Sequence, residues 1–188
     1  TIHTDEKYLT EIKSGATEFT ILGIPSDEFP EIPVVQEEQS ISLPQHLLKS
    51  MIDQTLFAIS TNDSKPVHTG SLFQLEDGEL RVVSVDGFRL ALRREKVSAE
   101  GSAQFIIPGK TLSEMNKLLS DEEDEETRLY LSRKHVVVQI GQYKVISRLL
   151  EGEFLDYKAA IPAGSNSTVT VDVRPLIDSI ERTSLLIS

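Results

Sequence analysis

The sequence predicts an α+β chain built from a repeated β-α-βββ unit, with two helices packed on antiparallel sheets. Three observations lead there. Ser71 to Arg94 reads as a meander of three short strands, with Asp-Gly pairs at Asp77-Gly78 and Asp86-Gly87 where two-residue hairpins turn. Ile41, Pro44, Leu48 and Met51 recur 64 residues later as Phe105, Pro108, Leu112 and Met115, so two helices share one pattern. A longer repeat, offset by roughly 125 to 130 residues, matches Ile12 and Gly15 with Ile140 and Gly141, Glu28-Phe29 with Glu153-Phe154, Ile32-Pro33 with Ile161-Pro162, and the strand before Pro44 with Val169 to Asp172. The chain therefore divides into the end of one domain over 1–36, a complete domain over 37–163, and the beginning of a third over 164–188.

Taken in order, residues 5–12 and 17–22 read as strands joined by a turn at Gly15. Gly23 to Pro33 is turn-rich and then extended, and Val34 to Gln39 is a connector. Ser42 to about Ser60 is the first helix, with Ser42 as its cap, Pro44 in its first turn, and Leu48, Met51, Ile52 and Leu56 at helical spacing. In the meander, Phe88, Leu90 and Leu92 alternate with Arg89, Ala91 and Arg93, which places the apolar set inward and the arginines outward. Gln104 to Ile107 is a strand, and Pro108 opens a second helix that runs to about Leu119. Asp121 to Glu126 is a solvated acidic loop without the spaced ligands or central glycine of a calcium loop. Arg128–Leu131, His135–Ile140 and Tyr143–Leu149 are strands, Glu151 to Ala163 is irregular, Thr168 to Asp172 is a strand, and Pro175 to Leu186 is a third helix.

Composition narrows the function. The chain has 39% hydrophobic residues, enough for a core, and no apolar run near the ~20 residues of a membrane span. It has no cysteine, hence no disulfide frame, thiolate site or cysteine nucleophile, in keeping with the cytoplasm. The formal charge of −11 argues against a nucleic-acid binder until its distribution is considered, because six acids stand in the single run Asp121 to Glu126. Phosphate-loop, dinucleotide, metalloprotease and nucleophile-elbow motifs are absent. The four histidines, His3, His46, His68 and His135, fall in separate elements, so neither a catalytic set nor a metal or cofactor site is expected.

SVDGFRLAL, with the ISLP helix opening before it, the FIIPGK helix opening after it, and LLEGEF with Asp156-Tyr157 near the end, resembles the bacterial DNA polymerase beta sliding clamp family over essentially the whole chain. The resemblance implies a DNA-clamp fold and a non-catalytic processivity factor, whose polymerase or nucleotidyltransferase label comes only by association with the holoenzyme. It implies a homodimeric ring around duplex DNA, loaded by a clamp loader and holding the replicative polymerase through short peptide motifs. The expected peptide pocket comprises His68, Val85, Gly87, Phe88, Arg89, Leu90, Leu155, Ala159 and Ala160. His68 stands where the family usually has Leu, Phe88 where His is frequent, Leu155 where Pro is usual, and Ala160 where a larger aliphatic is usual. The far wall of that pocket belongs to the rest of a third domain, so weak or no peptide binding is expected of this stretch by itself. The helices carry Lys49, Lys110 and Lys117, and with Lys65 these are the expected duplex-facing cations, for sequence-independent phosphate contact. Two rival classes are a small α+β hydrolase or transferase and a generic protein-binding module.

Overall fold

A computed structural model of the chain describes residues 1–29, 39–164 and 166–187. The predicted connector up to residue 38 and the boundary at residue 36 fall within 30–38, outside the described residues, as does the Ile32-Pro33 match, while Gln39, the connector's last residue, already belongs to a strand. The chain opens on a three-stranded antiparallel sheet of β1 (Ile2–Thr4), β2 (Leu9–Ser14) and β3 (Thr17–Leu22). The first predicted strand, 5–12, begins only at Leu9, and β1 lies before it in residues for which no strand was expected. Asp5 turns the chain between them, its Oδ1 accepting the Lys7 and Leu9 N–H groups at 2.9 Å each, while Tyr8 takes a positive φ of 62°.

The central part begins with β4 (Gln39–Pro44) and α1 (Gln45–Asp53), then β5 (Gly70–Glu76), β6 (Glu79–Val85) and β7 (Leu90–Lys96). It repeats with β8 (Ala103–Pro108), α2 (Gly109–Leu118), β9 (Glu126–Leu131), β10 (His135–Ile140) and β11 (Tyr143–Arg148). A one-turn helix α3 (Tyr157–Ala160) and a terminal helix α4 (Val173–Ser184) follow.

The predicted β-α-βββ unit occurs twice, and the units exchange their first strands. One sheet runs β7-β6-β5-β8 and the other β11-β10-β9-β4. The registers correspond: Phe73 pairs with Phe105 in one sheet, as Leu129 pairs with Ile41 in the other. Both helices bury the same spaced positions, Leu48 and Met51 on α1 and Leu112 and Met115 on α2, each fully buried. They share a single core with Phe73, Leu80 and Val82 of one sheet and Leu129, Val136 and Val138 of the other.

Several expectations are corrected. Ser42 is in β4, not at a helix cap, and its Oγ donates to Glu126 Oε2 at 3.2 Å. Residues 39–44 follow a period of two, with Ile41 and Leu43 buried, so strand pairing with β9 outweighs the capping signal. The helix begins after Pro44 and ends at Asp53, where Thr55 Oγ1 accepts no continuing turn but donates back to the Met51 carbonyl at 2.7 Å. Asp77-Gly78 is a two-residue turn with φ of 51° and 73°. Asp86-Gly87 is not: Val85 pairs with Leu90, and Asp86 to Arg89 form a four-residue loop with only Gly87 at positive φ. Phe88 belongs to that loop and is wholly exposed, so it is not on an inward face. Leu90 and Leu92 share a face as predicted, but it is the sheet face away from the main core, while Arg93 lies in the core-side row opposite Val82. Residues 168–172 pair with no strand among the described residues, and 157–160 form a helical turn where irregular chain was expected.

Position 109 tests this packing. A Cβ on Gly109, the first residue of α2, would lie 2.2 Å from Ile59 Cδ1 and 2.9 Å from the Thr69 carbonyl oxygen. Gly109→Ala should lower unfolding stability by about 1–3 kcal/mol, the usual cost of overpacking, read as a shift in the urea midpoint. An unchanged midpoint would contradict the packing.

Candidate functional site

The two sheets have matching inner rows, and their outer faces differ row by row: one pair of corresponding rows is apolar against polar, and the adjacent pair, Gln104-Gln74-Arg81-Arg94 against Ser40-Tyr130-Val137-Ile146, is polar against largely apolar. Across the β8-β5-β6-β7 sheet, the row facing away from the main core is Ile106, Leu72, Val83 and Leu92. The corresponding row of the other sheet is Ser42, Arg128, Gln139 and Lys144. An apolar row cannot face water at no cost, and the chain after β11 covers it. Phe154 and Tyr157 bury themselves on Leu72, Val83, Val85 and Ile106, with Val67, Leu90, Leu150 and Leu155 packed around them. Tyr157 Oη donates to Gln74 Oε1 at 2.7 Å, and Asp156 Oδ1 accepts the Lys158 N–H at 3.1 Å, which fixes α3 over the sheet. The covering is partial: Leu90 and Leu155 are half-buried and Leu92 is exposed.

Beside this cluster lies a cleft of about 390 Å³, lined by the Ile59–Asn62 segment, Lys65, His68 and the loop from Asp86 to Arg89. His68 meets the edge of the Phe154 ring at a centroid distance of 5.3 Å, so it joins cleft to cluster. Burial, and then the neighbouring Lys65 charge, lower its pKa below the ordinary 6.5, which favours the neutral ring. Asp86 is held below the usual carboxylate range, first by the N–H of Phe88, with the Arg89 N–H and guanidinium adding to it.

Of the nine predicted pocket residues, His68, Gly87, Phe88 and Arg89 line the cleft. Val85, Leu90 and Leu155 belong to the adjoining cluster, Val85 as an almost closed floor. Ala159 and Ala160 are exposed on α3 and line neither. Sequence reading missed Phe57, whose ring centre lies 5.5 Å beneath the Arg89 guanidinium carbon. A helix continued to Ser60 would have hidden its role; the early end of α1 puts Phe57 on a short 3₁₀ turn, Leu56–Ala58. Lys65, expected only against DNA, lines the same cleft.

The other three lysines fall on the helix layer. Lys49 Nζ is 2.6 Å from Asp121 Oδ2, so the acidic loop folds back on α1, and Lys117 pairs with Glu114 at 2.8 Å. Lys110 is exposed. Asn116 Nδ2 donates to Asp53 Oδ1 at 2.6 Å and ties α2 to α1. The groups with displaced pKa values are Glu11 and Lys13 in the first sheet, Arg81 on β6, and His68 and Asp86, which line the same cleft without a hydrogen bond between them. They form no acid-base set. Among the described residues no three metal-ligating side chains converge, and no helix is long and apolar enough to cross a membrane.

Residues 42–156 match the family model described as DNA polymerase III beta subunit, central domain. The chain is 36% identical to the beta sliding clamp of Bacillus subtilis (strain 168), an alignment covering 98% of this chain and 49% of that protein. It is 35% identical to the beta sliding clamp of Staphylococcus aureus, over 98% and 49% of the two chains. A crystal structure of a putative DNA polymerase III beta subunit from Eubacterium rectale superposes with a TM-score of 0.91 at 36% identity, covering 100% of this chain and 51% of that one. The sliding clamp structure from Bacillus subtilis gives 0.91 at 35% identity, over 100% and 50%. The chain spans about half the length of the curated relatives it matches.

The environment of His68 has a measurable consequence. With its folded midpoint below 6.5, the unfolded chain binds the proton more readily. The contribution to stability is present above the ordinary value and is lost as pH falls through the lower midpoint. An NMR titration should place the His68 midpoint below 6.5, and His68→Gln should flatten the fall in stability roughly between pH 7 and 5. A midpoint at or above 6.5 would contradict the packing against Phe154 and Lys65.

Proposed function

The chain belongs to the DNA polymerase III beta subunit, or beta sliding clamp, family, and we propose that it is the middle part of a ring-shaped, non-catalytic processivity factor in DNA replication. The helix layer faces duplex DNA, and the outer face of the β5–β8 sheet carries the docking place for polymerase and other partner peptides. The observation that carries this reading is the open cleft beside the apolar cluster on the outer face of the β5–β8 sheet, where Phe154 and Tyr157 cover Leu72, Val83 and Ile106 and leave Leu92 exposed.

His68, Gly87, Phe88 and Arg89 form the open rim of this docking place, Val85, Leu90 and Leu155 its apolar ground, and Ala159 and Ala160 the α3 margin. A small apolar pocket bounded by a cation suits a short peptide with apolar side chains. Residues 1–36 and 164–188 are assigned to the domains on either side. Support comes from their unfilled apolar faces, since Phe19 and Ile21 of β3 are exposed and α4 has no buried residue among those described. A second wall from the following domain completes the pocket, so the 188-residue chain by itself binds weakly. The full ring is a homodimer opened by a clamp loader, and it acts in the cytoplasm.

On the helix layer, topology does the holding, and the surface need only avoid repelling phosphate. Lys49 and Lys117 are partly neutralised by Asp121 and Glu114, which leaves Lys110 as the effective cation of the helix layer, with Lys65 as a second duplex-facing cation outside that layer, beside the cleft.

Two measurements test this in a subunit that contains the segment. Leu90→Glu should weaken partner-peptide binding by about tenfold or more, the scale of a hot-spot loss; unchanged affinity would count against the pocket. Replacing Lys65 and Lys110 together by Ala should reduce the salt slope of duplex binding by about 1 to 2. An unaltered slope would remove both lysines from the DNA face.

A further inference from the structure

The loop at the cleft rim is tied down by one side chain. Asp86 Oδ1 accepts the Phe88 N–H at 3.0 Å and the Arg89 N–H at 3.1 Å, and its Oδ2 accepts Arg89 Nε–H at 2.9 Å. The guanidinium is held on a second side by the Phe57 ring, 5.5 Å from its central carbon. Arg89 is thus fixed through Nε and through one face. Its two terminal nitrogens have no protein partner among the described residues, and its side chain remains 56% exposed. The other charged side chain lining the cleft is that of Lys65, and the Asp86 carboxylate is already engaged by three N–H groups. The cleft is therefore locally cationic in a chain of formal charge −11. A planar guanidinium with free terminal donors matches a carboxylate by two parallel hydrogen bonds, which an ammonium cannot do.

We propose that Asp86 is a positioning residue that turns Arg89 into a fixed fork for one carboxylate of a bound peptide. The inference rests on the peptide-cleft reading above and adds the chemical group that the rim selects. The carboxylate can come from the peptide's C-terminus or from an acidic side chain.

Three synthetic probes separate these sources: acetyl-Ser-Leu-Leu-Phe as the free acid, the same peptide as its amide, and the amide with Asp in place of Ser. Each is titrated at millimolar concentration into a subunit that contains the segment, with the Arg89 Nε–Hε signal and the backbone signals followed by NMR. The carboxylate-bearing probes should bind about three- to fivefold more tightly than the plain amide, the scale of an exposed charge pair, and shift the Arg89 signal. Whichever of the two binds better identifies the source. Asp86→Asn keeps an oxygen for the two backbone N–H groups. It should preserve the loop's backbone signals while broadening Arg89 Nε–Hε and reducing the preference to below about 1.5-fold. Asp86→Ala should lose both loop order and preference. Equal binding of acid and plain amide would overturn the fork while leaving the cleft standing, and so would an Asp86→Asn chain with its Arg89 signal and preference intact. Failure of all three probes to bind would overturn the cleft reading and this inference with it.

Discussion

The reciprocal loan of one strand holds this molecule together. β4 begins the first β-α-βββ unit but completes the sheet of the second, and β8 returns the loan. Neither sheet is whole without a strand from the other unit, and both helices bury their apolar faces in the core so formed. A three-stranded sheet with one helix could bury little of its inner face; the exchange lets two marginal pieces share one interior. It also sets the direction of everything else. With both inner faces and both helices committed to the core, only the outer sheet faces and the outer side of the helix layer remain for partners.

Function then resides where the copies diverge. The β10–β11 connection is a short turn with Ile140 paired to Tyr143, whereas its counterpart expands into the loop from Asp86 to Arg89. The polar outer row Ser42-Arg128-Gln139-Lys144 is stable in water as it stands. Its apolar counterpart requires the Phe154–Tyr157 segment over it and still leaves Leu92 exposed. Duplication supplies the scaffold, and a few departures from it supply the proposed docking place. On the helix side the departure is electrostatic: the acidic loop after α2 reaches back to Lys49 and trims the positive charge of the layer.

Much of this was legible in the residues. The recurrence of Pro, Leu and Met at one spacing located both helices and the internal copy, because buried helix positions tolerate few side chains. The second-unit strands were bounded within two residues, since their alternation is strong. The errors share a cause: each arose where pairing at a distance outweighs a local signal. Ser42 looks like a helix cap until β9 is present to pair with it. Asp86-Gly87 looks like a tight hairpin until the Val85–Leu90 register leaves four residues to close. Phe57 is not singled out, because nothing local says that α1 stops at Asp53. For the site, the rim from His68 to Arg89 was visible from the resemblance. The partition of Val85, Leu90 and Leu155 into a buried cluster depends on what Phe154 and Tyr157 cover, which no spacing reveals.

Hydrogen exchange on the 188-residue chain tests the strand loan most directly. If each unit depends on the other's strand, the bonded amides of β4 and β8 should open with one common free energy, equal to that of global unfolding measured with denaturant. If one ladder opens separately, at a clearly lower free energy while the other stays protected, the units are independent and the account of the fold fails.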